Sequence, residues 1–367
     1  MTDVFEFSDE LGPAKIIVIH EPRVPLKAIL VVDNVAAGPA IGGARMALDV
    51  SLAECFRLAR AMTLKNAAAG LPHGGGKSVI FADPAMPAPE KERIIRAFAR
   101  AIGQISDYIV GPDMGTNEEA MAWIVDEIGR AVGLPAEIGG IPLDEIGATG
   151  YGLAIAADAV AEAGQIELNG ARVAIQGYGA VGRHAARFLK DRGAIIVAVS
   201  DSRGCIAHSD GLDLEALAAL KANGDSVKDL TDGIALAADD IVAADCDIWI
   251  PAARPDVLTI DNVELVKAKL ILQGANIPAT PAAEHALHER GVICIPDFIA
   301  NAGGVICASV EYHGGSERQA LDTIAEKIQR NTTELLLLAD QQGLEPRQAA
   351  TEMAVKRVKA AMRYRRC

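Results

Sequence analysis

The stretch Val173–Gly193, "VAIQGYGAVGRHAARFLKDRG", decides the fold. Glycines at 177, 179 and 182 spell G-x-G-x-x-G. The apolar run "ARVAIQ" leads into it and a helical pattern leads out, which is the strand–turn–helix setting the motif needs. Gly177 makes the tight turn, Gly179 lets the backbone approach a pyrophosphate, and Gly182 lets helix and strand pack closely. Ala180, Val181 and Gly182 then open the helix whose N-terminus takes the phosphates. The next run, "AIIVAVSD", is a second strand ending at Asp201, 19 residues after Gly182. A carboxylate there suits the adenosine ribose hydroxyls and favours NAD. Arg203, two residues on, suits a 2′-phosphate, so NADP stays open.

Downstream, "CDIWIP", "KLILQGAN" and "GVICIPD" are short and apolar on nearly every residue, with helical stretches between them. Such runs predict parallel strands buried on both faces. Ligands of open parallel sheets bind outside the carboxyl ends of the strands, so 251–254, 274–276 and 296–304 are expected to line a cleft. Upstream, "KIIVIHE" and "LKAILVVDN" read as strands. "SLAECFRLARAMTLKNAAAG" reads as a helix capped by Ser51 with Glu54 and stopped by Gly70. "TNEEAMAWIVDEIGRAVG" reads as a second, with Thr116 and Glu119 as its capping box and Gly133 as its stop.

A glycine- and proline-rich passage at 133–150 marks a boundary. The expected fold is α/β with two domains. An N-terminal α/β substrate and oligomerisation domain spans 1–145. A Rossmann-type, doubly wound dinucleotide-binding domain spans 146–325. Helices over 326–367 return to the first domain.

The chain has 367 residues and a net charge of −14, which argues against nucleic acid or an anionic membrane as the main partner. The acidic start lacks the pattern of a signal peptide, and no apolar run reaches a membrane span's roughly 18 residues. Six cysteines, none in a C-x-x-C pair, give no support for a metal site and suit a reducing, cytoplasmic setting.

"AGLPHGGGKSV", Ala69–Val79, has the look of a phosphate-binding loop around Lys77. The first glycine of that motif belongs at 71, where the chain has Leu71, and the expected order is helix then strand rather than strand then helix. Lys77 therefore reads as a lysine in a glycine-rich turn with apolar surroundings. A lysine removed from water gives up its proton more readily, which suits a general base. Lys65, at the end of the preceding helix, suits a substrate anion or simply the helix dipole. Asp113, in "GPDMGT", precedes a helix N-terminus that favours its ionised form.

Taken together, "GPAIGGARM", "MTLKNAAAGLPHGGGKSVI", "GPDMGT", "GATGYG", "QGYGAVG", "VSDSRG", "GANIPATP" and "IPDFIANAGGV" resemble the glutamate/leucine/phenylalanine/valine dehydrogenase family across nearly the whole chain. The resemblance implies NAD(P)-dependent oxidative deamination of an L-amino acid to a 2-oxo acid and ammonium, by a homo-oligomer. It implies that Lys77 activates water, Asp113 handles the amino-group proton, and Lys65 pairs with the α-carboxylate beside the backbone of Gly42 and Gly43. Asn301 would contact the substrate near its α-carbon. Asn276 would lie near the nicotinamide, and Thr149 would bind the cofactor.

Glutamate-specific members resemble one another in a lysine before the first "GG" and a serine after "NAGGV"; these positions here are Ile41 and Ala308. A buried γ-carboxylate would be unpaired against them. The expected pocket is apolar, walled by Ile41, Val305 and Ala308, with Gly111 leaving room. Glutamate stays open as the substrate, because "GGIPLDEIGATGYG" and "VSDSRG" resemble glutamate dehydrogenases. A catalytically silent NAD-binding protein is the alternative from another class.

Overall fold

A computed structural model describes residues 4–365 and divides the chain into two compact units. The first takes the residues up to 143, then 305–320 and those from 351 on; the second takes 144–304 and 321–350. Most of 321–350, expected from sequence in the returning helical block, thus belongs to the second unit.

In the first unit, β1 (Lys15–Glu21), β2 (Leu26–Asn34), β3 (Ala40–Ala47), β4 (Gly74–Phe81) and β5 (Tyr108–Pro112) form one sheet in the order β1-β2-β4-β3-β5. The β1–β2 and β2–β4 pairs are antiparallel, while β3 runs parallel to β4 and β5. One face, with Leu30, Ile80, Met46 and Tyr108, packs on apolar residues of α2 (Ala88–Ala101) and α3 (Glu118–Ile128). On the other, Val31 and Val79 pack against Cys55 and Ala59 of α1 (Leu52–Ala68). Ser51 caps α1, accepting from the Glu54 N–H, and Gly70 ends it in the left-handed region at φ +63°.

Two expectations fail here. Lys77 lies inside β4, not in a turn. Glycine-rich sequence reads as a breaker, but in β4 it lets α1 approach: a methyl on Gly75 would fall 2.0 Å from Thr63 N. The second helix is capped by Asn117 and stopped by Gly129 at φ +69°, not by Thr116 and Gly133. The Thr116 hydroxyl is taken, accepting from Asp113 N at 3.0 Å and lying 2.8 Å from the carbonyl of Ala44.

The second unit begins within the one-turn α4 (Leu143–Ile146) and continues as α5 (Ala148–Glu162), β6 (Arg172–Gln176), α6 (Ala180–Lys190), β7 (Ile195–Asp201), β8 (Gly204–Ala207), α7 (Leu214–Ala222), β9 (Ile234–Leu236), β10 (Ile248–Pro251), β11 (Leu270–Leu272), α8 (Pro281–Glu289), β12 (Ile293–Ile295) and α9 (Asp297–Ala300). Among the described residues three helices follow: α10 (Gly303–Tyr312), α11 (Glu317–Gln342) and α12 (Pro346–Met362). Strand order is β12-β11-β10-β6-β7-β8-β9, parallel from β12 to β7 and antiparallel at β8 and β9. The order reverses between β6 and β10, the place where such sheets bind ligands. The expected strands of this unit all form, because runs apolar on every residue suit strands covered on both faces.

Among the described residues no helix is long and apolar enough to cross a membrane, and no group of His, Cys, Asp and Glu could hold a metal ion. Five cysteines are free and buried. Cys367 lies outside the described residues.

Candidate active site

In the first unit, strand alternation gathers one set of side chains on one face. Val79 of β4 meets α1 on that face, so Lys77 and Gly75 share it. In β3 it is the face of Ile41, Gly43 and Arg45, and in β5 that of Ile109 and Gly111, with Ile41 paired to Ile109 and Gly43 to Gly111. Lys77 Nζ lies 2.7 Å from Asp113 Oδ2, with the lysine side chain only 7% exposed. Arg45 Nε donates to the same Oδ2 at 3.1 Å, and its NH1 donates to Glu54 at 2.6 Å. Burial pushes the Asp113 carboxyl up, but the charge and hydrogen bond of Lys77 and the charge of Arg45 outweigh it, and the group is held below the usual carboxylate range. This, rather than the helix N-terminus, keeps Asp113 ionised, since α3 starts only at Glu118.

Glycine is required beside the pair. A methyl on Gly43 would sit 2.7 Å from Asp113 Cβ and 3.2 Å from Lys77 Nζ, and one on Gly42 would collide with Gly76 O at 1.6 Å. Lys65 stands in the last turn of α1. Its neighbour Asn66 donates to the carbonyls of Gly74 (2.7 Å) and Ile41 (3.4 Å), tying that turn to β4 and β3. One strand pair further along lies a buried apolar cluster of Ile41, Ile109, Val132 and Ala308. Val305, one turn before Ala308 on α10, is partly buried. Gly111 adjoins the cluster, since a methyl there would meet Val132 Cγ2 at 3.2 Å.

Sequence reasoning missed Arg45, because "GPAIGGARM" does not read as a strand. Once β3 is known, alternation with Gly43 places Arg45 beside Asp113. It also missed Glu311, a buried carboxylate on α10 that accepts the N–H groups of Gly133 (2.7 Å), Leu134 (3.2 Å) and Ile141 (2.7 Å) and so secures the loop after Val132. No local signal marks it.

In the second unit the three motif glycines occupy three different environments. Gly177 turns at φ +90°, and a methyl on it would meet Ala252 O at 2.9 Å. A methyl on Gly179 would meet nothing within 4 Å. One on Gly182 would strike Gly177 O at 2.0 Å. Tight turn, open approach and close packing are what a pyrophosphate on the α6 N-terminus needs, with Ala180, Val181 and Gly182 in the first turn and no side chain capping it. The residues therefore fit a dinucleotide, which supplies the hydride acceptor when bound.

Thr149 lies in the first turn of α5, beside Gly304, where a methyl would be 3.4 Å from its hydroxyl. Asn301 Nδ2 donates to Asn276 Oδ1 (3.1 Å) and to the carbonyls of Gly274 (3.3 Å) and Ala275 (3.2 Å). Asp201 is more occupied than its position in sequence suggests. Its Oδ1 accepts from Arg203 N (2.9 Å) and Ser226 Oγ (2.8 Å), and its Oδ2 from Lys221 Nζ (2.9 Å) and Val227 N (3.0 Å). A carboxylate has about four acceptor sites, so a ribose hydroxyl would have to compete for them. The Arg203 guanidinium donates to Gly224 O at 2.7 Å.

Two family models match this arrangement: "Glu/Leu/Phe/Val dehydrogenase, dimerisation domain" over residues 20–130, and "Glutamate/Leucine/Phenylalanine/Valine dehydrogenase" over 139–366. The chain belongs to this family. A glutamate dehydrogenase of Aeropyrum pernix is 38% identical to this dehydrogenase over 90% of this chain and 85% of its own length. The crystal structure of a hetero-hexameric glutamate dehydrogenase from Thermus thermophilus, in a Leu-bound form, superposes with a TM-score of 0.85 at 29% identity, covering 97% of this chain and 90% of that one. An L-tryptophan dehydrogenase from Nostoc punctiforme superposes at 0.77 with 25% identity, covering 98% and 99%. Other relatives are named as NAD-specific and as NADP(+)-dependent glutamate dehydrogenases. The protein is an NAD(P)-dependent amino acid dehydrogenase acting on a CH–NH2 group.

Proposed function

We propose that this dehydrogenase oxidatively deaminates an L-amino acid with an apolar side chain. The observation behind this reading is the buried cluster Ile41, Ile109, Val132 and Ala308, on the sheet face that also bears Lys77. With the substrate α-carbon over the Gly43–Gly111 pair, its side chain would extend toward Ile41 and Ile109, and Val305 and Ala308 of α10 would add to the wall. A γ-carboxylate directed there would lose its hydration against four apolar side chains.

Within this reading Lys65 and the backbone of Gly42 and Gly43 receive the α-carboxylate, and Asn301 contacts the substrate near its α-carbon. Asp113 takes a proton from the substrate amino group as the α-hydrogen leaves as hydride. With Asp113 protonated, Lys77 loses its anionic partner and releases its proton to water. As a neutral amine it takes a proton from the water that adds to the resulting imine carbon. Asp113 returns its proton to the amino nitrogen, and ammonia leaves as the added hydroxyl gives up its proton to form the 2-oxo acid. Gly177, Gly179, Ala180, Val181 and Gly182 would hold the pyrophosphate, with Asp201 and Arg203 toward the adenosine end, Asn276 near the nicotinamide and Thr149 on the cofactor side. The match of residues 20–130 to a dimerisation domain supports a homo-oligomer built on the first unit.

The relatives' names favour a second reading, glutamate as substrate. One assay separates the two: reduction of NAD and NADP with glutamate, valine, leucine, phenylalanine and tryptophan in parallel. Glutamate with the highest kcat/KM would sink the apolar reading. If the apolar reading holds, the Ile41→Lys, Ala308→Ser double variant gains glutamate activity and loses the apolar substrate.

A further inference from the structure

Among the described residues, two that are not glycine have positive φ: Asp256 at +52° and Ile277 at +50°. A branched side chain in the left-handed region is a true outlier, and such strain persists only where the surroundings enforce it. Here the two strained residues hold each other, Asp256 N donating to Ile277 O at 3.0 Å. Both lie beyond the carboxyl ends of neighbouring parallel strands, β10 and β11, on the ligand edge of the sheet.

The enforcing group is buried. Asp297, 6% exposed at the start of α9, accepts the Ile277 N–H on Oδ2 at 2.9 Å. Its Oδ1 accepts from Arg347 at 2.9 Å. Arg347 also donates to Glu284 (2.5 Å) and Gln273 (2.8 Å), and Gln273 Oε1 accepts the Asp297 N–H at 3.1 Å. The carboxylate is thus fixed from both sides before it reaches the loop. Immediately before Ile277 stands Asn276, exposed, its side-chain oxygen accepting from Asn301.

We propose that Asp297, locked by Arg347, is a positioning residue for the nicotinamide end of the cofactor: it holds Ile277 in the left-handed conformation and so aims Asn276 outward from the carboxyl edge of β11. This rests on the dinucleotide reading of the second unit and not on the choice of amino acid.

The test compares equilibrium binding of NADH with that of ADP-ribose, which lacks the nicotinamide, to the full-length protein. No amino acid is present, so the outcome is independent of the substrate assignment. In Asp297→Asn the amide would set a donor against Arg347 or against Ile277 N. NADH affinity is expected to fall roughly tenfold, the weight of one strained residue released, with ADP-ribose affinity kept within about twofold. Ile277→Gly in that background is expected to restore NADH binding, because glycine takes positive φ without penalty. Ile277→Pro breaks the same link from an exposed site (Ile277 is 45% exposed) by removing the N–H and forbidding positive φ, so it serves where Asp297→Asn does not fold. NADH affinity unchanged in these variants, or NADH and ADP-ribose weakened alike, overturns the proposal.

Discussion

Lys77 and Asp113 meet at 2.7 Å, the lysine from the middle of β4 and the carboxylate from just past β5, on two strands separated by β3. Arg45 of that intervening strand braces the carboxylate from its other side. Lys77→Met should leave the fold intact and lower kcat by roughly 10²–10⁴, the usual weight of a general acid–base group. Steady-state rates with unchanged circular dichroism check this.

Removing Arg45 takes away one of the cations that hold Asp113 below the ordinary carboxylate range. The carboxyl then titrates at higher pH. The acid limb of the kcat/KM profile of Arg45→Met should therefore move to higher pH relative to wild type, with the alkaline limb in place. A profile that scales down uniformly would mean that Arg45 acts only on stability.

The motif glycines should separate into two behaviours. Gly179→Ala has open space for its methyl, so thermal stability should hold while NAD(H) affinity falls. Gly182→Ala drives a methyl to 2.0 Å from a backbone oxygen and should destabilise the protein by about 1–3 kcal/mol. Calorimetry and cofactor titration on both variants distinguish the roles.

Gly111→Ala should narrow the apolar pocket. Its methyl would press on Val132 at 3.2 Å, and the cluster has little slack. We expect phenylalanine and tryptophan to lose about tenfold more kcat/KM than valine, within the range one methylene is worth in a pocket. Equal losses across the series would place Gly111 away from the side-chain pocket.

His73 is buried against Tyr312 and His313 and donates Nδ1–H to Pro39 O at 3.1 Å. Burial, opposed by that hydrogen bond, pushes it down from 6.5 to about 4. The folded value lies below the unfolded one, so the unfolded chain takes up the extra proton. Stability is full above about pH 6.5 and drains as pH falls toward 4, by on the order of 3 kcal/mol. In His73→Gln the loss of Tm between pH 7 and pH 5 should shrink.

The second unit's five parallel strands and its glycine motif were legible in sequence because their signals are local, whereas the short antiparallel β8 and β9 were not. Apolar runs specify strands buried on both faces, and Gly182 answers to Gly177 a turn away and Gly177 to an adjacent strand end, while Gly179 faces open space. In the first unit β5 and α2 were not legible, and β3 and the start of β4 were hidden. Their glycines act as breakers in isolation, and only the close approach of α1 to Gly75 and of β4 to Gly42 makes them strand residues.

Read along the chain, the residues already supply the chemical types: a lysine and an acid fit for proton transfer, a phosphate turn, and apolar residues at 41 and 308. Tertiary structure alone decided the partners. It set a carboxylate and Arg45 around Lys77, filled the four acceptor sites of Asp201 from inside the protein, and tied Ile277 to Asp297 and Arg347 across 20 and 70 residues of chain. The physical reason is range. Propensity and turn chemistry act over a few residues, whereas hydrogen bonds and ion pairs act between whatever groups the packed sheets and helices bring within about 3 Å.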